Sequence, residues 1–194
     1  MPTKDEIRKI VAERKQSAGD TREMSRQVMA RLMTLPEMET ADVIMTYVDF
    51  GKEVQTLPLI SDLLKLGKRV VVPYCDKNEI QLFQIKELSE LAPGSYGILE
   101  PKIELRYHSD HHVRSDELRL ILVPCVAFDH LCGRVGRGKG YYDRFLKKTP
   151  ENTLIIGLAF DFQQFDRVPM SGTDHFLDII VTEKQVFFRD LRHE

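Results

Sequence analysis

The chain has 194 residues, a net charge of −2 and 42% apolar residues, enough to enclose a sizeable core, with no global attraction for nucleic acid or acidic membranes. No apolar run is long enough to span a bilayer, and Met1 to Lys15 is charged throughout, unlike a signal peptide, so a cytoplasmic protein is expected. Cys75, Cys125 and Cys132 follow no zinc or redox spacing and are odd in number, which predicts reduced thiols rather than a disulfide framework.

Thr3-x-x-Glu6 and Asp20-x-x-Glu23 have the form of capping boxes, each opening a segment of helical period. The first carries Ile7, Ile10 and Val11 on one face. The second carries Met24, Val28, Leu32 and Leu35, and Pro36 is expected to stop it. Asp42 to Val48 reads as a strand. Leu57 to Leu66 reads as a helix, with Pro58 in its first turn and Gly67 at its end. Arg69–Pro73 and Ile80–Ile85 read as strands. From Glu87 to Glu117 the chain turns irregular, a long connection of the kind that is often functional or mobile. Leu118–Val123 is a strand, a glycine-rich loop follows, and a helix runs from about Tyr141 to Lys148. Thr153–Ala159 and Asp178–Thr182 read as strands, the latter forming a hairpin with Gln185–Phe188. Strands alternating with helices predict an α/β fold, a mainly parallel sheet with helices on both faces, in one domain spanning 1–194. Such sheets bind ligands at the carboxyl ends of their strands.

The loop lies at one such end. Gly133, Gly136, Gly138 and Gly140 fall within eight residues, interleaved with Arg134, Arg137 and Lys139. Glycine lets backbone N–H groups approach an anion, a helix start adds donors, and the cations add fixed charge. The pattern predicts a phosphate cradle and a protein that uses ATP. It is not a P-loop: Gly133-x-x-x-x-Gly138-Lys139 is followed by Gly140, not by the Ser or Thr that would hold Mg²⁺. Nor does it have the spacing of a dinucleotide fingerprint. Basic residues beside Tyr141 and Tyr142 are also compatible with a nucleotide- or RNA-binding module without turnover, and a small-molecule kinase is a third possibility.

Other residues are less specific. Asp143 could hold Mg²⁺ or simply suit a helix start. Lys4 and Arg8 share a helix face and could reach a phosphate or face solvent. Glu53, past the strand ending at Val48, could bind the N–H groups of a heterocycle, act as a base, or open a helix. Asp161, Asp166, Asp174 and Asp178 form an acidic run in which one member could ligate a metal. His108, His111 and His112 sit in a polar stretch that reads as a solvated loop. Spacing assigns no role to His130 or His175.

Val123-Pro124-x-x-Ala127-Phe128-Asp129, running into Gly133-Arg134-x-Gly136-x-Gly138-x-Gly140-Tyr141-Tyr142-Asp143-Arg144, resembles the 5-formyltetrahydrofolate cyclo-ligase (methenyltetrahydrofolate synthetase) family. Supporting segments are Lys4-x-x-x-Arg8, Tyr47 with Glu53 and Thr56, Gly97-Ile98-x-Glu100-Pro101, and Pro169 through Asp174 to Asp178-Ile179-Ile180-x-Thr182-Glu183. Cys125 and Val135 depart from the residues common in the family but remove no side chain the chemistry needs.

The resemblance implies a Rossmann-like sheet and an ATP- and Mg²⁺-dependent closure of 5-formyltetrahydrofolate to 5,10-methenyltetrahydrofolate, with release of ADP and phosphate. Carried over by position, it implies that Arg134, Val135, Gly136, Arg137, Gly138, Lys139, Gly140, Tyr141 and Tyr142 hold ATP, with Lys4 and Arg8 from the first helix. It places Arg137 and Lys139 in catalysis. It gives the folate Val48 and Glu53 together with Arg137, Gly138, Lys139, Gly140 and Tyr141, and it gives Mg²⁺ Asp143 and Asp174. The expected partners are two small molecules, with no nucleic acid and no membrane, and a monomer is the expected working unit.

Overall fold

The computed structural model describes residues 1–94 and 97–190. Their core is a seven-stranded sheet built from β1 (Val43–Thr46), β2 (Arg69–Asp76), β3 (Glu79–Ile85), β6 (Leu120–Pro124), β9 (Leu154–Leu158), β10 (Ile179–Val181) and β11 (Val186–Phe188). Its order is β11-β10-β9-β6-β1-β2-β3. The five inner strands pair in parallel, and β3 and β11 close the edges antiparallel. The inner strands are rich in Val, Ile and Leu, with β1 and most of β6 buried, as a parallel sheet covered on each side requires. Among the described residues, no helix is long and apolar enough to cross a membrane.

One face is covered by α2 (Thr21–Leu32), α3 (Pro36–Thr40) and α4 (Leu57–Lys65), which pack Val28, Leu32, Met38, Ile60 and Leu63 onto Ile44, Val70 and Leu122. The other is covered by α5 (Tyr141–Leu146) and the chain around Phe128 and Cys132. Helices on both faces of a mainly parallel sheet agree with the sequence pattern. The helix α1 (Lys4–Arg14) packs elsewhere. Its Ile7 and Val11 lie on Ala127, Val135 and Val168, over the small hairpin of β7 (Ala127–Phe128) and β8 (Arg134–Val135). The Thr3–Glu6 capping box forms in both directions and fixes where α1 starts.

Several boundaries differ from expectation. Pro36 does not only end a helix: it occupies the first turn of α3, where its missing N–H costs nothing. The strands β2 and β3 are longer than periodicity implied and join in a hairpin. Lys77 and Asn78 take left-handed conformations at φ 45° and 67°, the geometry of a tight primed turn. The α5 helix stops two residues early, at Leu146. The segment from Glu87 to Glu117 is not featureless: it contains a second small hairpin, β4 (Leu91–Pro93) with β5 (Leu99–Pro101), and several 3₁₀ turns. Its His111 is not solvated as expected. It is buried, stacked on Phe83 at 4.3 Å, and its Nδ1 lies 2.8 Å from the Gln84 carbonyl.

Asp129 ties the β7–β8 hairpin to the chain beyond β9. It is 2% exposed; its Oδ1 accepts from the amides of Leu131 and Gly133, and its Oδ2 from Val168. Asp129→Ala would orphan three N–H groups, two of them in fully buried hydrogen bonds. It is expected to cost about 3 kcal/mol or more, read as a lowered urea midpoint; an unchanged midpoint would mean that water takes over the carboxylate's role.

Candidate active site

The chain leaves β1 toward β2 on one side and β6 toward β9 on the other, so the sheet's switch point lies between the carboxyl ends of β1 and β6. A cavity of about 980 Å³ opens there, with Tyr47, Val48 and Pro124 on its floor. This is near the upper end of the range for small-ligand sites. The glycine loop forms one wall, α1 a second, the 50–53 turn a third, and Ile98–Glu100 of the long connection part of the rim.

The loop's shape depends on its glycines. Gly138 and Gly140 have φ of 100° and 65°. A Cβ at Gly138 would sit 3.3 Å from the Arg8 guanidinium, and one at Gly136 would sit 3.1 Å from Arg134 Nη1. Among the described residues, the N–H groups of Gly138 and Gly140 find no acceptor within the protein, which suits them to an anion. The helix that follows has only six residues and contributes less dipole than a longer one would.

Sequence spacing left Lys4 and Arg8 open between phosphate contact and solvent, and both line the cavity. Arg8 Nε donates to the Gly136 carbonyl at 2.9 Å and Nη1 pairs with Asp5 at 2.5 Å. Lys4 forms an ion pair with Asp174 across the cavity mouth. Burial works against ionised Asp174, yet the hydrogen bonds from Lys4 and Ser171 hold its carboxyl below the ordinary value. Of the acidic run, Asp174 alone lines the cavity. Asp178 accepts from the Ile155 amide and Asp161 pairs with Lys184, both structural contacts.

Arg134 and Asp143 form an internal pair. Arg134 Nη2 lies 2.8 Å from Asp143 Oδ1, and its side chain is 3% exposed. Its Nη1 donates to the Pro124 carbonyl at 3.3 Å, and its Nε is buried without a partner. This guanidinium braces Asp143 and, although it lines the cavity, exposes little of its surface there. Val135 lies deeper still: its side chain is fully buried beneath α1 and lies outside the cavity lining.

The 50–53 turn is held by Asp49, whose Oδ1 accepts from the amides of Thr56 and Leu57 at the start of α4. Tyr47 reinforces it, donating its hydroxyl to the Val54 carbonyl while its own carbonyl accepts from Thr56. Glu53 therefore points inward at a fixed height. Its Oε2 accepts from the Phe50 amide at 3.0 Å, and its Oε1 pairs with Arg137 at 2.7 Å. Burial pushes the Glu53 carboxyl above its ordinary value, and Arg137 and the Phe50 amide work against that rise. Burial likewise raises the Tyr142 phenol well above the ordinary range and the Cys125 thiol to about 12, so neither ionises near neutrality.

Lys139, Tyr141 and Tyr142 also face the cavity. Arg144, which the sequence reading gave no role, supports them. It donates to the carbonyls of Lys139 and Asn78 at 3.0 and 3.1 Å, and its guanidinium lies over the Tyr141 ring at 5.1 Å. Its position three residues after Tyr141, on the same helical face, was the available signal. Phe50, Tyr74 and Thr173 also line the cavity without having been singled out. Among the described residues, no group of three or more His, Cys, Asp and Glu side chains forms a metal site, and the three cysteines are unpaired.

The 5-formyltetrahydrofolate cyclo-ligase family matches residues 1–183. The chain belongs to that family. Its members are ligases, and the curated relatives are similar over most of their length. The Escherichia coli K12 5-formyltetrahydrofolate cyclo-ligase is 31% identical over 169 residues, covering 85% of this chain and 91% of the relative. The Haemophilus influenzae enzyme of the same name is 30% identical, covering 91% and 94%. The solved structure of Aquifex aeolicus 5,10-methenyltetrahydrofolate synthetase superposes with a TM-score of 0.82 at 34% identity, covering 98% of this chain and 97% of that one. A Mycoplasma pneumoniae synthetase at 22% identity shares the fold, with a TM-score of 0.71.

Proposed function

We propose that this protein, as one α/β domain acting in the cytoplasm as a monomer, uses ATP to close 5-formyltetrahydrofolate to 5,10-methenyltetrahydrofolate. The observation that carries this reading is the single cavity joining the glycine loop to the Glu53 turn, so that a nucleotide tail and a pterin can meet within it. The formyl oxygen is a poor leaving group. It attacks the γ-phosphorus, the bond to the β,γ-bridging oxygen breaks, and ADP departs. N10 of the same folate then attacks the formyl carbon and loses its proton. The C–O bond breaks and phosphate leaves, so the conjugated N5–C–N10 bridge forms.

The protein's part in this is positioning and charge. The N–H groups of Gly138 and Gly140, with Lys139 and Arg137, stabilise the phosphoryl group in flight. Lys4 and Arg8 hold the nucleotide from α1, beside the wall formed by Tyr141 and Tyr142. Glu53 accepts hydrogen bonds from the pterin, with Val48 beneath it. Asp143 and Asp174 offer hard oxygen donors on one cavity and fit Mg²⁺, which takes one or two carboxylates and completes its shell with water and phosphate oxygens. When bound there, Mg²⁺ would offset the charge on the phosphate oxygens. Asp174 pairs with Lys4 and Asp143 with Arg134, so each carboxylate is held on the cavity by a neighbouring cation.

The test mixes protein, Mg·ATP and 5-formyltetrahydrofolate and follows the near-ultraviolet spectrum. A growing absorbance from the conjugated bridge, with phosphate released in equal amount, is expected. A stable phosphorylated product would point to a kinase, and salt-sensitive RNA binding without ATP consumption to a binding module.

A further inference from the structure

Arg137 belongs by sequence to the glycine loop, yet every contact of its guanidinium recorded among the described residues lies on the opposite wall. It pairs with Glu53 at 2.7 Å, donates to the Phe50 carbonyl at 3.3 Å, and lies over the Phe50 ring at 5.1 Å. All three partners sit in the turn that would receive the pterin. With Arg137 on Oε1 and the Phe50 amide on Oε2, the carboxylate edge of Glu53 is already engaged. A pterin presents two adjacent N–H donors, which match that same edge.

We propose that Glu53 is a positioning residue for Arg137 as well as a pterin acceptor: it holds the guanidinium away from the nucleotide until folate takes its place. The inference rests on the reading of the cavity given above. Pterin binding displaces Arg137 from Glu53, and the released guanidinium, still 47% exposed and next to Gly138, turns to the phosphate tail. Folate binding and nucleotide binding then strengthen each other by the same factor, as linkage demands. Without folate, the loop's exposed guanidinium is withheld, so ATP is not spent on water.

The test is calorimetric titration with Mg²⁺ and β,γ-imido ATP, which binds without turnover. Glu53→Gln keeps an acceptor for the Phe50 amide but loses the charge that holds Arg137. It is expected to bind the analogue about 5-fold or more tightly than the wild type in the absence of folate. Glu53→Asp, which draws the carboxylate back from Arg137, should move the affinity in the same direction. In an Arg137→Gln background, Glu53→Gln should leave nucleotide affinity unchanged. Equal affinities in wild type and Glu53→Gln would overturn the proposal. So would a gain that persists without Arg137, because removal of a negative charge would then explain it. A wild type that binds neither the analogue nor 5-formyltetrahydrofolate overturns the functional reading instead, and this inference with it.

Discussion

Lys139→Ala is expected to lower turnover by about two to three orders of magnitude, the usual cost of removing one preorganised donor from a transition state. Lys139 sits between two glycines of positive φ on the cavity wall, and its carbonyl is fixed by Arg144. The main chain at this point is therefore held from outside, and truncating the side chain leaves the loop's path intact. The urea midpoint and circular dichroism should match the wild type, so lost turnover would report lost charge rather than lost structure. Near-normal turnover in this variant would remove Lys139 from the mechanism. Lys139→Arg is expected to recover only part of the rate, because a planar fork does not replace a compact ammonium.

The second large effect is on the other wall. Glu53→Ala is expected to weaken 5-formyltetrahydrofolate binding by about two orders of magnitude, in line with losing one partner of a buried, charge-assisted contact. Nucleotide binding should not fall with it. The turn that carries Glu53 is held at both ends by Asp49 and Tyr47, and the carboxylate adds one bond from the Phe50 amide, so the loss should stay local. Titration of each ligand separately distinguishes the outcomes. Equal weakening of both would mean that Glu53 supports the whole cavity rather than the pterin end.

Much of this architecture could be read from the sequence because the signals were local. Thr3 and Asp20 cap their helices where the spacing put them, and Gly67 ends α4 at φ 76°. The glycine loop was legible because positive φ and close approach to Arg8 and Arg134 restrict those positions to glycine. The pairings between distant segments were not legible. Lys4 with Asp174 and Glu53 with Arg137 meet only after the sheet has folded. Arg134 looked like one more loop cation, but a two-residue strand, too short to show periodicity, turns it inward against Asp143. His111 looked solvated because its neighbours are polar, and only the approach of β3 gives it a ring to stack on.

The loop around Gly138 is expected to hold the terminal phosphoryl group of ATP beside the folate. A crystal structure with β,γ-imido ATP, Mg²⁺ and 5-formyltetrahydrofolate tests it most directly. The phosphate tail should lie against the amides of Gly138 and Gly140, with the formyl oxygen next to it. A tail bound elsewhere, leaving that loop open to water, would contradict it.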